Sequence, residues 1–241
     1  SAFLILGALL REKADYRLSR KELKIEGNVA RSLIALGVPA AIQNAVFQFA
    51  NLFIQAGVNS FSPVVVEGNS AATNADGLVY DAMAAFYAAC TSFMSQNNGA
   101  GKRDRTIKSY WICLIYSFLT GLIMGLLLVW FSRPFLSLFT QDPFVRKEGT
   151  YRLTIMGFSY GVSAFMDCTI AASRSLGKSG VPLVIVIMGS CVFRVIWMYT
   201  VFAYFRTISS IYLLYVFSWT LTALAEILYF AYIWKKSEPG K

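Results

Sequence analysis

Ala30-Arg-Ser-Leu-Ile-Ala-Leu-Gly-Val-Pro39-Ala-Ala-Ile-Gln-Asn44-Ala-Val-Phe-Gln48-Phe-Ala-Asn51-Leu-Phe-Ile-Gln55-Ala-Gly-Val-Asn-Ser60 is long and apolar enough to cross a bilayer, yet it carries a ladder of uncharged polar side chains. Asn44, Gln48, Asn51 and Gln55 fall at i, i+4, i+7 and i+11, one narrow face of an α-helix, while Ile42, Val46, Phe49, Leu52 and Phe53 point elsewhere. An amide left unsatisfied in hydrocarbon costs on the order of several kcal/mol, so the ladder needs polar partners from other helices or a water-filled cavity. Both readings stay open on the residues alone: the four amides are glue between helices, or they line a translocation cavity.

The rest of the chain fits a membrane protein. Of its 241 residues 56% are hydrophobic and only 15% charged, and the mean hydropathy is +0.54. A net charge of +9 would suggest nucleic acid for a soluble domain, but most of the 22 basic side chains sit between apolar segments, where membrane topology accounts for them. Histidine is absent, and Cys90, Cys113, Cys168 and Cys191 stand singly in apolar segments with no Cys-x-x-Cys, which argues against a metal site, a Cys–His nucleophile and a disulfide framework. Gly177-Lys178-Ser179 and Gly99-Ala100-Gly101-Lys102 lack the preceding strand of a phosphate-binding loop. With no hydrolytic triad and no carboxylate pair in a catalytic setting, we expect no enzyme, no catalytic residues and no cofactor.

Read in order, the chain predicts an all-α polytopic transmembrane bundle of six spans, at about 31–58, 76–97, 109–131, 150–173, 181–204 and 210–234. Residues 1–10 read as the tail of a preceding transmembrane helix, 11–30 as a basic cytoplasmic connector, 31–236 as a six-helix lobe and 237–241 as a cytoplasmic tail. Residues 59–75 and 132–149 are expected to be loops, and Gly121/Gly125 and Gly157/Gly161 to be close-packing faces. Basic residues concentrate at the connector, at Lys102–Lys108, at Arg174–Lys178 and at the C-terminus, which the positive-inside tendency places on the cytoplasmic side of a plasma (inner) membrane.

Charges inside spans cost about 2.5–3.5 kcal/mol each on insertion scales and so face the bundle interior. Asp167, Arg194 and Glu226 are such residues. One reading pairs Arg194 with Asp167 or Glu226 in a structural salt bridge; the other gives Asp167, or less readily Glu226, a proton or Na⁺ to exchange during transport.

Several runs together resemble a known family. They are Gly37-Val-Pro39, Asn59-Ser-Phe61, Gly68-Asn-Ser-Ala-Ala72, Phe93-Met-Ser-Gln96-Asn97-Asn-Gly99-Ala-Gly101-Lys102, Arg174-Ser-Leu-Gly177-Lys-Ser179, Gly189-Ser-Cys191-Val-Phe-Arg194 and Tyr215-Val-Phe-Ser218-Trp219. Their order and spacing are similar to the C-terminal half of bacterial multidrug and toxic compound extrusion (MATE) transporters. The resemblance implies two six-helix lobes around a cavity that opens alternately to each side, with this chain supplying the second lobe and a missing N-terminal lobe the first. It implies export of cationic or amphipathic small molecules in exchange for H⁺ or Na⁺, with lipid as the surrounding partner. Relatives carry a glutamate in the middle of the helix that bears Phe47 and Gln48 here, and this departure moves the coupling candidate to Asp167 or to the other lobe. The alternatives are a lipid-linked sugar flippase of related fold and a non-transporting membrane scaffold.

Overall fold

The computed structural model describes residues 7–8, 10–11 and 26–236. The connector 12–25, most of the tail 1–10 and the tail 237–241 lie outside the described residues. The chain divides into two compact units, Ser1–Asn44 and Ala45–Lys241. In the first, helix α1 (Gly27–Val58) begins and runs through Pro39 without a break in its assignment.

The second unit holds the end of α1 from Ala45, then α2 (Pro63–Gly99), α3 (Arg103–Trp130), the short α4 (Ser132–Ser137), α5 (Pro143–Gly157), α6 (Tyr160–Ser175), α7 (Gly180–Phe205) and α8 (Ile208–Lys236). No strand occurs among the described residues. Helices α3, α7 and α8 are each long and apolar enough to cross a membrane, and α5 with α6, bent by 48°, forms a fourth such passage if taken as one span. The protein is an all-α transmembrane bundle.

Packing inverts the arrangement of a soluble helix bundle. On α3 the buried face carries Thr106, Tyr110, Cys113, Ser117, Gly121 and Gly125, whereas Ile112, Ile115, Leu119, Ile123 and Trp130 are exposed. Small side chains let backbones approach where no hydrophobic drive separates protein from lipid. The two glycine pairs meet each other: a Cβ on Gly125 would run into the Gly157 carbonyl, and one on Gly161 would press to 3.1 Å from the Phe118 ring. Cys90, Cys113 and Cys168, far apart in sequence, share one core with Met94, Tyr110 and Phe230. All four cysteines are free and buried.

Two expected loops are helical. Helix α2 starts at Pro63 rather than near 76, because Pro63 occupies a first-turn position that needs no N–H and Ser62 before it is extended. Its added turns are held by Gly68, whose Cα lies so close to α5 that a Cβ there would reach 2.8 Å from the Val145 carbonyl oxygen. Within 132–149, α4 forms, and α5 begins at Pro143 with the Asp142 carboxylate accepting the Phe144 N–H at 2.8 Å. The expected fourth span is two helices, broken between Gly157 and Tyr160, where the Ser159 hydroxyl donates to the Met156 carbonyl at 2.7 Å.

Candidate functional site

The amide ladder divides along its length. The side chain of Asn44 lies outside the described residues. Gln48 and Gln55 are exposed on the surface of the second unit, and Gln55 donates to the Asn59 side-chain oxygen at 2.8 Å. Asn51 is half-buried and turns inward to accept a hydrogen bond from Arg194 Nη1 at 3.3 Å. Phe47 packs into a core of Met166, Ile170, Val186 and Ala223.

Arg194 is 3% exposed. Its Nε donates to the Ser218 hydroxyl at 3.1 Å, and its guanidinium lies 4.7 Å from the centroid of the Tyr215 ring. Every partner is neutral, so the expected pairing of Arg194 with Asp167 or Glu226 does not form in this structure. The local backbone explains the choice. Helix α7 widens into π turns at Ile187–Val192 and Met198–Phe202, on either side of Arg194. The first frees the Gly189 carbonyl to accept from Ser218 at 3.0 Å, which fixes that hydroxyl beneath the guanidinium. Gly189 also lets α7 close on α8, since any Cβ there would overlap the Thr222 hydroxyl.

Asp167 and Glu226 lie elsewhere. Asp167 in α6 has one carboxylate oxygen, Oδ2, buried without a hydrogen-bond partner among the described residues. Tyr80 and Tyr87 of α2, whose rings are 6.4 Å apart, and Arg174 of α6 are within its electrostatic reach. Glu226 in α8 is fully buried, both its oxygens likewise lack a hydrogen bond, and Arg174 is again the nearby cation. Asp167 thus faces tyrosines of α2 while Glu226 is buried in α8, and Arg174 is within electrostatic reach of both. A buried carboxylate with open lone pairs can take up a proton or a cation, which is the chemistry the intramembrane position of Asp167 suggests.

One buried ion pair escaped the sequence reading. Arg152 of α5, 3% exposed, makes a two-pronged contact with Asp76 of α2, Nη1 to Oδ1 at 3.1 Å and Nη2 to Oδ2 at 2.5 Å. The Tyr160 hydroxyl of α6 donates to the same Asp76 oxygen that accepts from Nη1. One carboxylate therefore holds α2 to both arms of the bent pair. The expected spans 76–97 and 150–173 put Asp76 and Arg152 in their first turns, with no partner assigned to either. A usable signal was phase: Val145, Gly149, Arg152 and Met156 recur on one face, and all four are buried.

Comparison with known proteins bears on what this geometry serves. The sequence matches the MatE family over residues 39–200. It is 23% identical over 189 residues to the probable multidrug resistance protein NorM of Thermotoga maritima, covering 75% of this chain and 39% of that one. It is 24% identical over 158 residues to the FAD transporter of Shewanella oneidensis, covering 66% of this chain and 34% of that one. Among solved structures, a MATE protein in a straight conformation superposes with a TM-score of 0.85 at 15% identity over 98% of this chain and 53% of that one. A MOP superfamily transporter from Pyrococcus furiosus, described as having a binding pocket of reverse polarity, gives 0.83 at 15% identity, with 96% and 53% covered. The chain spans well under half the length of those two sequence relatives and about half that of the solved structures. With the family match running from Pro39 in α1 through both π turns' approach to Thr200 in α7, the chain belongs to the MatE family of membrane transporters.

Proposed function

We propose that this chain is the second lobe of a cation-coupled antiporter that exports cationic or amphipathic small molecules by alternating access, driven by H⁺ or Na⁺. The observation that carries the reading is Asp167, an intramembrane carboxylate with a buried oxygen that has no hydrogen-bond partner among the described residues. Loading it with a proton or Na⁺ cancels its charge, and a neutral acid tolerates a closed, dry arrangement that a charged one does not. The exposed amides Gln48 and Gln55 offer hydrogen bonds to cargo or water on the same helix face as Asn51. The whole transporter would add an N-terminal six-helix lobe and sit in the inner membrane with its C-terminus cytoplasmic, as the distribution of basic residues supports. No organic cofactor is required; the counter-ion is itself cargo.

The test is efflux of a fluorescent cationic dye from cells expressing the full-length protein, with and without Na⁺ or a pH gradient. Asp167→Asn should abolish counter-ion-driven efflux while the protein still folds and inserts. Unchanged efflux would remove Asp167 from the mechanism.

A second reading concerns cargo charge. Arg194 is a buried cation with only neutral partners, and it reaches the amide face through Asn51. An anionic group on the cargo would complement it, and one of the relatives is named an FAD transporter. Efflux of an anionic dye that is lost in Arg194→Gln, with cationic dye efflux absent from the start, would favour this reading.

A further inference from the structure

A cavity of about 470 Å³ opens at the corner of α4 and α5, lined by Arg133, Pro143, Arg146, Lys147 and Thr150. Four of these, at 143, 146, 147 and 150, have the i, i+3, i+4, i+7 spacing of one helix face, while Val145, Gly149 and Leu153 bury the other face of α5. Three cations therefore line one hollow beside the start of α5.

Neither nearby carboxylate is among the residues that line the cavity. Asp142 is engaged in capping α5 through the Phe144 N–H, and the Glu148 Cβ is packed against Gly68 of α2. Among the described residues, none of Arg133, Arg146 and Lys147 forms an ion pair. Nor is this the end of the bundle where the basic residues concentrate. Helix α3 starts at the other end, where Arg103 donates to the Trp234 carbonyl near Lys235 and Lys236, and it finishes here at Trp130.

The surroundings are apolar. Trp130 is 85% exposed and Phe144 70%, with Phe131 and Phe139 also exposed next to the cavity-lining segments in sequence. Trp130 is a ring of the amphipathic kind that collects where hydrocarbon meets headgroups, and the three phenylalanines beside it are apolar surface that lipid tails can cover. A soluble anion needs no such collar, whereas a lipid places its phosphate among cations and its tails along aromatic and aliphatic side chains.

We infer that the α4–α5 cavity binds the phosphodiester headgroup of an anionic phospholipid. Arg146 and Arg133 supply planar, multi-donor contacts to phosphate oxygens and Lys147 a movable point charge. The reading depends only on the chain being a membrane protein, not on what it transports.

The test is lipid titration of the delipidated full-length protein in detergent, read by native mass spectrometry, with phosphatidylglycerol, phosphatidylcholine and, as competitor, free glycerol phosphate. Each cation near the headgroup is worth about fivefold in affinity, so Arg133→Gln/Arg146→Gln/Lys147→Gln should weaken phosphatidylglycerol binding on the order of 100-fold and remove its preference over phosphatidylcholine, whose headgroup carries no net charge. A control, Lys102→Gln/Arg105→Gln/Lys108→Gln at the other end, should lose far less. Wild-type affinity in the cavity variant, or an equal loss in the control, would overturn the inference. Displacement of the lipid by millimolar glycerol phosphate would overturn it too, by showing a site for a soluble anion.

Discussion

Asp76→Ala should destabilise the protein by about 2–3 kcal/mol, less than the 3–5 kcal/mol typical of breaking a fully buried pair, because Asp76 is not fully dry. Its side chain is 31% exposed, whereas that of Arg152 is 3% exposed. The loss is the cost of leaving the Arg152 guanidinium buried without its counter-charge, its Nε already lacking a partner. Arg152→Met should cost about 1–2 kcal/mol, since the Asp76 left behind keeps partial access to water and the Tyr160 hydroxyl. The double variant removes both charges together, so it should cost about 2 kcal/mol, well short of the sum, with a coupling of about 1–3 kcal/mol. The assay is unfolding of the full-length protein in mixed micelles over the four corners of the cycle. Single-variant costs that add to within about 0.5 kcal/mol would refute the clasp and reduce the pair to a surface contact.

Four further outcomes follow from the same physics. Glu226→Met should raise the midpoint of thermal unfolding by several degrees, because a fully buried carboxylate with no hydrogen bond is replaced by an apolar side chain of similar length; a lower midpoint would mean that Glu226 has a partner in the membrane-embedded protein. Gly189→Ala should destabilise by about 1–3 kcal/mol in the same assay, since the new methyl meets Thr222 and forces α7 from α8; a smaller companion change, Thr222→Ala, should recover part of the loss. Arg206, at φ 48° between α7 and α8, holds a left-handed conformation costing about 1–2 kcal/mol, so Arg206→Gly should raise the midpoint by about one or two degrees, offset in part by glycine's chain entropy. Asn51→Ala should leave Arg194 short of an acceptor and weaken stability by about 1 kcal/mol, whereas Gln55→Ala, which loses only a contact to Asn59 at the surface, should stay within about 0.5 kcal/mol of the parent.

Hydropathy was enough to find the helices α3, α7 and α8, whose apolar lengths leave little choice. It failed for α2, where Glu67, Asn69, Asn74 and Asp76 lower the apolar content of turns that are nonetheless helical and packed against α5. Polar composition there marks contact with protein and partial exposure rather than the absence of a helix. The two glycine pairs were readable as close-packing faces, but that each packs against the other depends on the placement of α3 beside α5 and α6. The charged residues separated in the same way. Their presence in spans followed from the cost of burying charge, but partner choice did not. Arg194 is directed to Ser218, Asn51 and Tyr215 by a π turn that no local pattern announces, and Asp76 meets Arg152 across 76 positions of chain.

The Asp76 clasp also fixes which parts of this bundle can travel together. Because a single carboxylate of α2 grips α5 and α6 at once, those three helices form one mechanical block, and straightening the 48° elbow would first require pulling the buried Arg152 from its counter-charge. Helix α7 is built the other way, with two π turns and an arginine tethered only by neutral groups, so a shift of α7 would break no ion pair among the described residues. Cross-links stapling α7 to α8 should therefore arrest turnover of the full-length protein where cross-links within the α2–α5–α6 block would not.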